Sequence, residues 1–179
     1  MILYSNARTR MLESDGQWIT CVKYLYVKWE TDKENIPLFL KLAVNTWYTL
    51  TLDGPKLTLK KDEFDMLSQV LNESYSFFKV SFPYNENCQW LFGYMMTART
   101  DLFLNSGLTY VAIEQQGEHL LKAACKEGNM FAQLLCAMDN YSNRYIKKCR
   151  ENVEKHISEY FDISQEVDEY FIEVLTTSF

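Results

Sequence analysis

Two histidines and five cysteines are the side chains of this 179-residue chain best suited to metal or nucleophilic chemistry, so their settings come first. His119 follows Glu118 and precedes the apolar pair Leu120-Leu121, and His156 borders the apolar stripe of its own helix. Both read as structural or exposed histidines. Cys21, Cys88, Cys125, Cys136 and Cys149 are an odd set without a Cys-x-x-Cys pair, spread through apolar segments, which suits buried reduced thiols better than a disulfide framework or a metal site. No H-E-x-x-H, G-x-S-x-G, G-x-x-x-x-G-K-[ST] or G-x-G-x-x-G occurs. A catalytic acid–base pair assembled by tertiary proximity leaves no linear signature. The expectation is a protein that is not an enzyme, with no cofactor and no metal.

Carboxylates are the one chemical class concentrated in a single place. Residues 151–179 hold eight acids against the single Lys155, a formal −7, so the rest of a chain of net charge −6 sums to +1. That end repels phosphate and disfavours direct nucleic acid binding. It suits a basic protein partner instead. Glu166, Glu169 and Glu173 fall at i, i+3 and i+7 of a helix, on one face, while Val167, Phe171 and Val174 fall on another. With Glu159 and Asp162 they are the expected partner-binding residues. A solvated helix face is the plainer reading of the same pattern.

Four Trp, twelve Tyr and eleven Phe could stack nucleic acid bases, but most fall on apolar stripes without flanking basic clusters. Core packing is their expected role. Tyr84 and Tyr141, beside turns, are candidate anchors for a protein partner.

The elements that must position these groups read as helices. Six Gly and three Pro are too few for the many turns of a β-sandwich. Ser14-Asp15-Gly16 offers a helix start before Trp18, Cys21, Val22, Leu25 and Trp29, though Tyr24, Tyr26 and Val27 leave a strand open there. Pro37 suits a first helical turn, and Asp53-Gly54-Pro55 a stop. Further helical patterns run from Asp62 to about Lys79, Cys88 to Thr97, Tyr110 to Lys126, Met130 to Met138, and Ile146 to Tyr160. Ser164 is the expected cap of a last helix. The predicted fold is mainly α: one domain over residues 1–179 with six to eight helices, a minor strand element near the N-terminus, and residues 151–179 as a candidate subdomain.

The segment from Ile113 to Leu135 resembles one helical hairpin of the tetratricopeptide or Sel1-like repeats, with Gly117, Ala124 and Ala132 permitting close approach and Gly128-Asn129 making the turn. Only one copy is visible. Together with Trp90-Leu91-Phe92-Gly93-Tyr94-Met95-Met96, Leu102-Phe103 and the Glu114, Gly117, Leu120-Leu121-Lys122, Gly128-Asn129 series, it resembles the small helical immunity proteins of bacterial polymorphic and contact-dependent growth-inhibition toxin systems. Thr97 to Leu104 is more polar than the apolar, proline-containing stretch of that group. The resemblance implies a cytoplasmic antidote that binds and occludes a cognate secreted toxin domain, often a nuclease, without shared catalytic residues. The alternative is a helical repeat-type adaptor for other proteins. The first residues show no secretory pattern and no apolar run approaches a membrane span, so the expected location is cytoplasmic, away from membranes.

Overall fold

The computed structural model describes residues 1–140 and 142–177, so Tyr141 lies outside the described residues. The described chain is all helical: α1 (Ala7–Ser14), α2 (Trp18–Thr31), α3 (Ile36–Leu52), α4 (Lys61–Ser81), α5 (Glu86–Ala98), a 3-10 segment (Thr100–Ser106), α6 (Tyr110–Lys126), α7 (Met130–Asn140), α8 (Asn143–Tyr160) and α9 (Glu166–Thr176). This is more helices than the sequence suggests. The expected strand element is absent among the described residues, where the single extended pairing is an isolated bridge from Asp53 to Leu57. Tyr24, Tyr26 and Val27 belong to α2, because Trp18, Cys21, Val22, Leu25 and Trp29 bury one helical stripe and packing overrides β-propensity. Ser14-Asp15-Gly16 does not start a helix; it closes α1, with Gly16 at φ +65° in the left-handed region.

Helix α3 is the axle of the molecule. Asn35 caps it by accepting from Leu38 N, Pro37 occupies its first turn, and Leu38 to Leu50 are buried on every side. Thr46 and Thr49 turn their hydroxyls back onto the Leu42 and Asn45 carbonyls, so their burial leaves no hydroxyl unsatisfied. Around it, aromatic rings fill the interior: Phe78 stacks on Phe92 at 4.7 Å, and Trp90 meets Phe131 and Phe171 at 5.1 and 5.6 Å. All four tryptophans are buried. One connected core runs from Ile2 to Leu175.

Two features explain how the chain closes. Helices α5 and α6 cross where Gly93 faces Gly117; a Cβ on Gly93 would lie 2.9 Å from Gly117 O, and one on Gly117 3.0 Å from Gly93 O. Gly128, at φ +96°, then turns α6 into α7, and Asn129 Oδ1 caps the new helix by accepting from Ala132 N at 3.0 Å. The first residues are tied to the last helices: Ile2 N donates to Tyr160 O at 2.9 Å, and Thr9 Oγ1 donates to Gln165 Oε1 at 3.3 Å. No helix among the described residues is long and apolar enough to cross a membrane.

Candidate protein-binding surface

Helix α9 begins one residue later than a Ser164 cap would place it. Gln165 holds the cap position, while Ser164 turns its hydroxyl onto Asp162 Oδ1 at 2.6 Å. From this start α9 buries Val167, Asp168, Phe171 and Leu175, and Glu166, Glu169 and Glu173 point away from that face. Acids in the first turn also meet the positive end of the helix dipole.

The three glutamates border a concavity of about 540 Å³ whose other walls are Tyr48, Tyr170, Lys56, Ile163, Ser14 and Ser164. Tyr48 and Tyr170 pack ring against ring at 5.3 Å. Tyr48 donates its hydroxyl to Glu166 Oε1 at 3.2 Å, and Lys56 Nζ stands 3.8 Å from the same oxygen. Burial, reinforced by the Glu166 charge, pushes the Tyr48 phenol well above its usual range, so it remains a donor. Behind it, the Tyr170 and Tyr94 hydroxyls share a hydrogen bond of 2.6 Å. Ile163 stands 71% exposed at the edge. The arrangement is carboxylates around an aromatic wall with one apolar projection, suited to receiving cationic side chains.

Of the five residues expected at a binding surface, Glu166, Glu169 and Glu173 are brought together here. Asp162 is beside them in the chain but committed elsewhere: Ser5, Arg10 and Ser164 all donate to it. The Ser164 hydrogen bond, helped by Arg10 and Ser5, holds its carboxyl below the usual range. Glu159 is exposed on α8 and does not border the concavity.

Asp168, one of the eight acids of residues 151–179, lies in the interior. It is buried with Glu13 and Lys41, and the Lys41 ammonium lies 2.9 Å from a carboxylate oxygen of each. The remaining acceptors are used: Asn45 Nδ2 donates to Glu13 Oε1 at 3.1 Å, Val167 N to Glu13 Oε2 at 3.3 Å, and Asp162 N to Asp168 Oδ2 at 2.9 Å. Burial raises the Asp168 carboxyl above its usual range despite the opposing pull of Lys41. The triad fastens α9 to α1 and α3 and so fixes the acidic face. Two signals in the sequence point to it: Lys41 is the lone charge inside Ile36-Pro37-Leu38-Phe39-Leu40-Lys41-Leu42-Ala43-Val44, and Asp168 shares the i, i+3, i+7 stripe of Phe171 and Leu175.

Among the described residues no group of three or more His, Cys, Asp or Glu could hold a metal ion, and no disulfide forms. Comparison with family models, with curated proteins and with solved structures returns no match to this chain.

Proposed function

We propose that this chain is an immunity protein, which binds a cognate secreted toxin domain in the cytoplasm and occludes its active site. The observation that carries the reading is the clustering of Glu166, Glu169 and Glu173 around the Tyr48–Tyr170 wall. A nuclease must attract phosphate with Lys and Arg. Carboxylates presented in place of phosphate can occupy the same cations, and an aromatic wall adds cation–π attraction once water is excluded. The likeness of the Trp90 to Leu135 region to small helical immunity proteins supports the same reading. Chemistry by this chain itself has no part in the proposal.

The test is co-expression with the toxin domain encoded beside its gene. Growth rescue and a stable one-to-one complex are expected, both weakened by reversing Glu169 and Glu173. Rescue without a complex, or a complex indifferent to those charges, would overturn the reading. A repeat-type adaptor is the second reading, favoured by the α6–α7 hairpin; peptide capture without toxin neutralisation would support it.

A further inference from the structure

Away from α9, a second concavity of about 610 Å³ opens between the end of α4, the turn before α5, and α6. Lys79, His119, Lys122 and Lys126 line it with a single carboxylate, Glu127, and Phe78, Leu120 and Ala123 give it an apolar floor. Tyr84 stands at the rim with 88% of its surface exposed. The fold assembles this basic and aromatic cluster from residues scattered over 48 positions of sequence, where linear reading finds no basic run beside an aromatic.

Each cation is held differently. Lys79 Nζ lies 4.5 Å from the centre of the Tyr75 ring, Lys122 pairs with Glu118 at 2.9 Å, and Lys126 makes no ion pair among the described residues. Gln89, 6% exposed, forms part of the wall; its Nε2 donates to Pro83 O at 2.8 Å, and its Oε1 has no donor among the described residues.

We propose that this cleft docks an acidic peptide segment of a partner protein. Side-chain carboxylates of the segment meet Lys79, Lys122 and Lys126, and an apolar or aromatic residue packs on Leu120 and Ala123 beside Tyr84. A peptide fits better than nucleic acid. The cleft is short, contains no arginine and offers three ammonium groups, whereas a phosphate backbone calls for a longer basic track and meets a chain of net charge −6. The site is independent of the acidic face of α9, so the protein has two surfaces of opposite charge preference.

Lys79 and Lys126 also sit in the last turns of α4 and α6, where an ammonium offsets the negative end of the helix dipole. The experiment must therefore read binding and not stability alone. A random-peptide display library is panned at low salt against the full chain, and enriched peptides are made with a fluorescein label for anisotropy titration. Enrichment of peptides with several Asp or Glu and one aromatic or aliphatic anchor is expected. The double variant Lys79→Glu, Lys126→Glu should bind them about tenfold or more weakly, and Tyr84→Ala should also weaken them. Glu169→Lys with Glu173→Lys should leave them bound, which separates this site from the α9 surface. Circular dichroism confirms that each variant is folded. Failure to enrich acidic peptides, equal binding by the charge-reversed variant, or preferential capture of a single-stranded oligonucleotide in the cleft would each overturn the proposal.

Discussion

Lys41 Nζ lies 2.9 Å from Asp168 Oδ1 across 127 positions of sequence, and the same ammonium holds Glu13 Oε1 at 2.9 Å. One buried cation thus joins α1, α3 and α9. Removing it strands two carboxylates in an apolar interior, where a broken buried pair typically costs about 3–5 kcal/mol. Lys41→Met should therefore lower the urea midpoint far more than an exposed substitution such as Lys126→Met. Combining it with Glu13→Gln and Asp168→Asn should recover part of the loss. A Lys41→Met variant of unchanged midpoint would show that the triad does not fasten α9.

The pH dependence of this fastening has a definite sign. Burial raises the Asp168 carboxyl in the folded state above its unfolded value, so the folded chain binds the proton more tightly and this site opposes folding at high pH. The penalty is complete above the folded pKa and is gone below the unfolded value of about 3.9. Wild-type stability relative to Asp168→Asn should accordingly rise as pH falls through that window. Asp162 runs the other way: its lowered carboxyl contributes stability above the unfolded value and loses it on acidification through the folded one. Urea titrations of Asp168→Asn and Asp162→Asn against wild type over a pH series separate the two.

Gly93→Ala and Gly117→Ala test the crossing of α5 and α6. In a free helix each change would gain about 1 kcal/mol of propensity. Here the new Cβ would lie within about van der Waals overlap of the facing carbonyl, at 2.9 and 3.0 Å, and backbone cannot swing aside as a side chain can. Net destabilisation of about 1–3 kcal/mol each is expected, as for other overpacked sites, read from thermal or urea melts.

Charge reversal on the acidic face should act on association rate. Glu169 and Glu173 are exposed and their replacement breaks no side-chain hydrogen bond among the described residues, whereas Glu166 accepts from Tyr48. The double reversal Glu169→Lys, Glu173→Lys should slow binding to a basic toxin domain by about tenfold at low ionic strength, with the gap closing as salt screens the field. Stopped-flow association at several salt concentrations measures both effects.

Cys21 and Cys88 should be inert in the folded protein. Burial pushes both thiols up to about 12, with Glu13 adding to the effect at Cys21. Iodoacetamide near neutral pH should leave them unmodified until denaturant is added, as peptide mass spectrometry can show. Rapid labelling of either in the native state would contradict the packing around them.

Much of the helical order was legible because it rests on local pattern. The stripe Phe64, Leu67, Leu71, Tyr75, Phe78 announces α4, and Gly128-Asn129 announces the α6–α7 turn. Helix α1 was not legible: its buried residues are Thr9, Leu12 and Glu13, hardly an apolar stripe, and it is set by a reciprocal Asn6–Thr9 cap. The acidic face was half legible. Spacing alone puts Glu166, Glu169 and Glu173 together, but the wall they border comes from Tyr48 and Lys56, more than a hundred positions earlier, which no periodicity connects. Composition counts Asp168 among the eight acids of residues 151–179 but does not tell which of them is interior.

The ties between the two ends of the chain also order events in time. Ser5 and Asp162 are 157 residues apart, so at about 5–20 residues per second the ribosome delivers the second roughly 8–30 s after the first. Through that interval Glu13 and Lys41 can already meet as an ion pair, while Ile2 and Thr9 await the Tyr160 carbonyl and the Gln165 side chain. Asp168 reaches the pair last. The nascent chain must therefore keep residues 2–9 unspoiled until α8 and α9 arrive, and the acidic face becomes fixed only after they do.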